Sequence, residues 1–150
     1  MQFKKLNRTG SEQVYRTILN VEGATITTGN PVSVRPTALS IDGVNAVISN
    51  STADHLGFIG IATEDIANND YGLVQVNGLV NSILLSHAGS SITVTAGDLL
   101  IPGPTGFYSF NPAVVYSGNG AHTYNFKHVI NVDTATVSAR GYVRGLINVL

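Results

Sequence analysis

A chain of 150 residues without cysteine can bury roughly 70% of the surface its unfolded form exposes. One domain can therefore hold together unaided, and disulfides, thiolate chemistry and cysteine-ligated zinc are excluded. Charged residues are only 11% and the formal net charge is −1, so no global field draws the protein to nucleic acid or to an anionic membrane. Sixteen glycines and a mean hydropathy of +0.19 imply a neutral, half-apolar surface of the kind a partner covers.

The opening Met1-Gln2-Phe3-Lys4-Lys5-Leu6-Asn7-Arg8 is basic without an apolar run behind it, so it does not read as a signal peptide. No apolar run approaches the roughly 20 residues of a membrane helix, and the expectation is a soluble chain. Residues 1–13 read as an extended N-terminal arm, either free or ordered on a partner. Residues 14–150 read as a single β domain. Val14–Val21, rich in β-branched and aromatic residues, is its first strand.

Glu22-Gly23-Ala24 turns the chain toward Thr25-Ile26-Thr27-Thr28-Gly29-Asn30-Pro31-Val32-Ser33-Val34. The same plan returns at Ser91-Ile92-Thr93-Val94-Thr95-Ala96-Gly97-Asp98-Leu99-Leu100. In both, an Ile/Thr stretch meets a glycine followed by Asn or Asp, and an apolar strand follows. Glycine supplies positive φ and the Asx side chain bonds the turn backbone, so each predicts a tight corner. Two corners of one small barrel or sandwich explain this; the copies are too few for a solenoid.

Between the corners lie a strand at Ala46–Ile48 and a polar loop from Ser49 to Asp54. Phe58–Thr63 is apolar at nearly every position and reads as a strand covered on both faces. Ile66-Ala67-Asn68-Asn69-Asp70 reads as a turn, at most one turn of helix. Leu73–Asn77 alternates, which places Val74, Val76 and Val80 on one face and Gln75 and Asn77 on a wet face. Ser82–Leu85 continues the β pattern, and Gly103-Pro104-Thr105-Gly106 is a loop. Strands are expected at Phe107–Phe110, Val114–Tyr116, His122–Val132 and Thr136–Val149. In the last, Val137, Ala139, Gly141, Val143, Gly145, Ile147 and Val149 face one way and Arg140, Tyr142 and Arg144 the other. No window carries helical periodicity, so the chain reads as all-β.

Candidate chemistry is sparse. His122 and His128 would lie roughly 20 Å apart along one strand, too far for a shared ion. His55 and His87 sit beside loops with no ligand partner at suitable spacing. Glu64, Asp65 and Asp70 form the densest carboxylate group, and paired carboxylates can do acid–base work. Ala67 stands where a calcium loop needs an oxygen, however, and a turn bonding its own amides explains the same letters. No serine sits in a nucleophile elbow, and Ser90-Ser91 is near His87 in sequence only. Gly118-Asn119-Gly120 is a hairpin turn without the context of a nucleotide fingerprint. Asn7 and Asn50 fit the glycosylation sequon, which carries no weight without secretion. Arg140, Arg144 and the arm could form a basic patch, or be solvated or salt-bridged. No catalytic, cofactor-binding or metal residue is assigned.

The run Gly60-Ile61-Ala62-Thr63-Glu64-Asp65-Ile66-Ala67, then Asp70-Tyr71-Gly72-Leu73-Val74-Gln75-Val76-Asn77-Gly78, then Ile92-Thr93 and Ala96-Gly97-Asp98-Leu99-Leu100, resembles the capsid decoration (cement) and head-accessory proteins of tailed bacteriophages. Asn20–Ile26 with Gly29-Asn30-Pro31-Val32 is similar to that family's opening strand and corner. The resemblance covers roughly residues 14–102; from Phe107 to residue 150 the chain is longer and more aromatic than the pattern. It implies a small β-barrel or sandwich of β-tulip-like form, with residues 107–150 adding to or completing it. It implies a virion protein made in the host cytoplasm, bound outside the capsid to the major capsid protein, assembling as a homotrimer, with no catalytic residues. It implies no cofactor, nucleic acid or membrane partner.

The expected function is thus non-enzymatic: a cement that adds its affinity for the shell to the shell's stability by mass action. The alternative is a receptor- or glycan-binding β module of a phage fibre or head-fibre base, with Tyr108, Tyr116, Tyr124 and Tyr142 as an aromatic platform. A hydrolase using Glu64, Asp65 or Asp70 is the third reading.

Overall fold

The computed structural model describes residues 12–35, 44–49, 57–103, 106–110 and 128–149. All regular structure among them is β, in chain order β1 (Val14–Asn20), β2 (Pro31–Val34), β3 (Asn45–Ile48), β4 (Phe58–Ala62), β5 (Tyr71–Val94), β6 (Leu99–Gly103), β7 (Gly106–Phe110), β8 (His128–Asn131) and β9 (Ala135–Asn148). The all-β, small-barrel expectation is met. The first half of β5 closes a circuit β1-β3-β2-β4-β5 back onto β1. Its second half closes another, β5-β7-β6-β8-β9, through the long β5–β9 ladder from Asn77↔Asn148 to Val94↔Ala135. Closure gives every strand of each five-stranded circuit a paired neighbour on both sides.

Each circuit surrounds its own apolar cluster. Ile18, Ile26, Val32, Ala46, Ile59, Ala62, Ile66, Val74 and Val76 fill the first. The second holds Ile83, Leu85, Val94, Leu100, Phe107, Val129, Val143 and Ile147, among others. Strand β4 serves both, as its wholly apolar sequence requires. All five of its residues are buried, with Ile59 and Ala62 in the first cluster and Phe58 and Ile61 in the second. Phe58 meets Phe107 edge-to-face at 6.0 Å between ring centroids, a favourable aromatic arrangement.

Two details of β5 depart from the sequence reading. Val80 belongs to the second cluster while Val74 and Val76 belong to the first, because one strand 24 residues long outruns a single barrel. Gln75 is buried, not wet; its amide Nε2 donates to the carbonyls of Asn77 and Leu79, both at 3.0 Å. A polar side chain is tolerated inside when its donors are satisfied. In β9 the expected alternation holds where side chains are described: Val143, Gly145 and Ile147 are buried, and Arg140, Tyr142 and Arg144 are exposed.

The corners have a common construction. At Thr27–Asn30 the Asn30 N–H donates to Thr27 O (3.1 Å), and Gly29 has φ 85°. At Thr95–Asp98 the Asp98 N–H donates to Thr95 O (3.0 Å), and Gly97 has φ 96°. A third copy lies at Ala67–Asp70, with Asp70 N–H to Ala67 O at 3.1 Å and Asn69 at φ 65°. This segment, allowed one turn of helix from sequence, is a corner preceded by a main-chain bridge between Ile26 and Ile66. Each corner is clasped by one distant residue: Thr27–Asn30 by Ala62, Thr95–Asp98 by Asn131 and Ala67–Asp70 by Asn20. The clasping residue accepts from the third corner N–H at 2.8 Å in all three, and donates to the fourth corner carbonyl at 2.9–3.0 Å.

Candidate functional site

The carboxylates named from sequence are engaged in the corners. Asp65 Oδ1 accepts the Thr28 N–H (2.7 Å) and the Thr28 hydroxyl (2.9 Å). The backbone bond, then the hydroxyl bond, holds the Asp65 carboxyl below its ordinary value, because both favour the anion. Glu64 Oε1 accepts the Leu73 N–H at 3.0 Å. Asp70 contributes main chain, its carbonyl accepting from Asn20. The turn was expected to bond its own amides; Asp65 instead bonds an amide of the neighbouring corner, 37 residues away. These bonds give Glu64 and Asp65 structural work that needs no chemistry.

Arg144 is not part of an open basic patch. Its guanidinium grips Asp133 through Nη2 to Oδ1 at 2.7 Å and Nε to Oδ1 at 3.1 Å, and its N–H donates to Asp133 Oδ2 at 2.7 Å. Arg144 thereby holds the Asp133 carboxyl below its usual range, chiefly through the side-chain bond. Arg140 projects from the same face of β9 and is exposed, and its side chain makes no hydrogen bond or ion pair among the described residues.

Outward apolar residues fall into two groups. On the first circuit Tyr15, Tyr71 and Leu73 are exposed on the adjoining strands β1 and β5. On the second, direct cross-strand pairing sets Leu146 of β9 between Leu79 of β5 and Ile130 of β8, and Ile130 beside Leu99 of β6. Leu146 is 45% and Ile130 38% exposed. Directly paired residues share a sheet face, so this is a continuous apolar row across four strands. Composition predicted such a surface, but only the register brings its members together.

A solvent-open cleft of ≈ 390 Å³ lies where the circuits meet, lined by Thr27 and Asp65 of the first and by Leu84, Arg140, Gly141 and Tyr142 from β5 and β9. Its wall is fixed, since the Leu84 N–H donates to Gly29 O at 3.1 Å. Asp65 and Arg140 line one cleft without forming an ion pair with each other. Tyr142 is 58% exposed there. No sequence signal joined residues 27, 65 and 140.

Several sequence-stretch expectations lie outside the described residues: the arm before Glu12, Asn50, His55, the strand at Val114–Tyr116, the Gly118–Gly120 turn, His122, Tyr116 and Tyr124. So do the side chains of His87, Ser90, Tyr108 and His128. Of the arm, Gln13 is described, and its Nε2 donates to Leu79 O at 2.9 Å.

No family model and no curated protein matches this chain. Among solved structures, it is similar to the N base of the gp8.5 head fibre of bacteriophage phi29, at 13% identity and a TM-score of 0.49, covering 91% of this chain and 95% of that one.

Proposed function

We propose that this chain is a non-enzymatic structural protein of a tailed-phage particle, which binds the outer surface of the head shell as a decoration (cement) protein. It acts as a homotrimer against the major capsid protein. The resemblance of residues 14–102 suggests the class. The observation that carries the reading is the row Leu79, Leu146, Ile130 and Leu99 on the outside of a closed circuit. Every strand of the closed circuit already has a neighbour on both sides, which disfavours strand addition and favours partner binding through side chains on the outer face. Contiguous apolar residues there are stabilised by being covered. A ligand that binds only the assembled shell adds its affinity to shell stability, and multivalent contact multiplies the effect.

The test has two parts. Quantitative mass spectrometry of purified particles should find this chain near stoichiometric with the shell protein. Cosedimentation with intact heads should be lost by Leu146→Lys and Ile130→Lys at unchanged thermal midpoint. A few copies per particle would move the role to a vertex or fibre, and absence from particles would remove the reading.

A further inference from the structure

We propose that the cleft between the two circuits is a binding site for an uncharged saccharide, held by the Asp65 carboxylate, the Arg140 guanidinium and the Tyr142 ring. This goes beyond the capsid reading and stands on different residues.

The cleft presents one acceptor group and one donor group that do not satisfy each other. Asp65 uses Oδ1 on Thr28, while Oδ2 has no partner among the described residues. The Thr28 bonds fix the carboxylate in place and keep it ionised. The Arg140 side chain has no partner among the described residues, whereas Arg144, four residues on and facing the same way, is held by Asp133. Thus the two arginines of β9 have different local roles: one braces a loop and the other is free over the cleft.

Chemistry selects the ligand class. Opposite charges at one small site largely cancel for a simple anion or cation, so neither gains much from the field. A vicinal diol gains from both, because each hydroxyl donates to a carboxylate and accepts from a guanidinium. The exposed ring of Tyr142 offers an apolar face to the C–H side of a pyranose, as aromatic side chains with one wet end commonly do. The cleft volume of ≈ 390 Å³ falls in the range of about 300–1,000 Å³ found for small-ligand sites. Its walls are preformed by the Gly29–Leu84 contact, which lowers the ordering cost of binding.

The test uses the full chain in an amide chemical-shift titration with maltose and with N,N′-diacetylchitobiose, and with sodium acetate and ethylammonium chloride as charge-only controls. Saturable shifts centred on Thr27, Asp65, Leu84 and Arg140–Tyr142 are expected for at least one disaccharide, at the millimolar affinity of a shallow site. Arg140→Ala and Tyr142→Ala should each weaken that binding about tenfold or more. Cosedimentation of Tyr142→Ala with phage heads should remain at the level of the unaltered chain. The inference is overturned by absence of saturable shifts up to ~100 mM sugar, by binding indifferent to both substitutions, or by acetate producing the same shifts. Mapping on the unaltered chain decides the matter even if a variant fails to fold.

Discussion

Asn20 and Asn131 hold equivalent positions in the two circuits: each is wholly buried, and each clasps a corner through its own N–H and C=O. Asn20 accepts from Asn69 at 2.8 Å and donates to Asp70 O at 3.0 Å; Asn131 accepts from Gly97 at 2.8 Å and donates to Asp98 O at 2.9 Å. Their side chains repeat the parallel. Asn20 Nδ2 donates to the carbonyls of Ala24 and Ile66, both at 2.8 Å, while Oδ1 accepts Glu22 N–H. Asn131 Nδ2 donates to Thr95 O at 2.9 Å and to Asp133 O, and Oδ1 accepts Asp133 N–H.

Alanine at either position removes three side-chain bonds to main chain: Ile66 O and Thr95 O keep Ile26 N–H and Asp98 N–H, but the N–H of Glu22 or of Asp133 and the carbonyl of Ala24 or of Asp133 lose these bonds. Losing buried partners costs about 1–3 kcal/mol per orphaned group, less what relaxation recovers. Asn20→Ala and Asn131→Ala should each destabilise the protein by roughly 2–4 kcal/mol, read as a drop in the urea midpoint. A loss below roughly 0.5 kcal/mol would show that the side chains are dispensable to the clasp.

The two corner glycines should respond differently to the same substitution. A Cβ at Gly29 would lie 2.9 Å from both Leu84 N and Ser82 O, whereas one at Gly97 would meet nothing within 4 Å. Both carry positive φ, so alanine pays the left-handed penalty of about 1–2 kcal/mol at either site. Gly97→Ala should cost about that much. Gly29→Ala should cost more than about 3 kcal/mol, because backbone must also move. Equal costs would mean that the Gly29–β5 approach is looser than the contact implies.

Glycine followed by Asx exposed two of the three corners in the sequence, because positive φ and an acceptor side chain leave a compositional mark. The third escaped recognition as a copy, since Asn69 replaces glycine and its neighbours are also Asx. Alternation exposed β9, but it misassigned β5. Period-2 pattern reports which way a side chain points and not which core it enters, so Val74 and Val80 looked alike. Gln75 looked wet for the same reason, its buried amide being satisfied by carbonyls that no residue type reveals. The outer row and the cleft depend on register and circuit closure, which couple residues up to 115 positions apart in Thr27–Tyr142.

Strand β4 should make the two circuits unfold as one unit. Phe58 leaves the first circuit's strand to pack on Phe107 in the second cluster, and β5 is common to both. Phe107→Ala should cost about 3–5 kcal/mol and lower a single transition seen alike by far-ultraviolet circular dichroism and tyrosine fluorescence. Ile18→Ala in the other cluster should cost about 2–5 kcal/mol and lower that same transition. Two separate transitions in either variant would show that the cores are independent.

Acid should loosen the protein through two named carboxylates. Asp65, bonded by Thr28, and Asp133, bonded by Arg144, both have folded-state values depressed below the ordinary 3.8. For a depressed acid, the unfolded state binds more protons, so its contribution is full above the ordinary value and fades as pH falls through the depressed one. The urea midpoint should therefore decline below about pH 4. Asp133→Asn should flatten that decline by removing the ionised partner of Arg144, and Asp65→Asn should do so independently, as their sites share no residue. Both variants should start lower at neutral pH and converge toward the unaltered chain in acid. Parallel curves, with the same slope in all three proteins, would assign the acid limb to other groups.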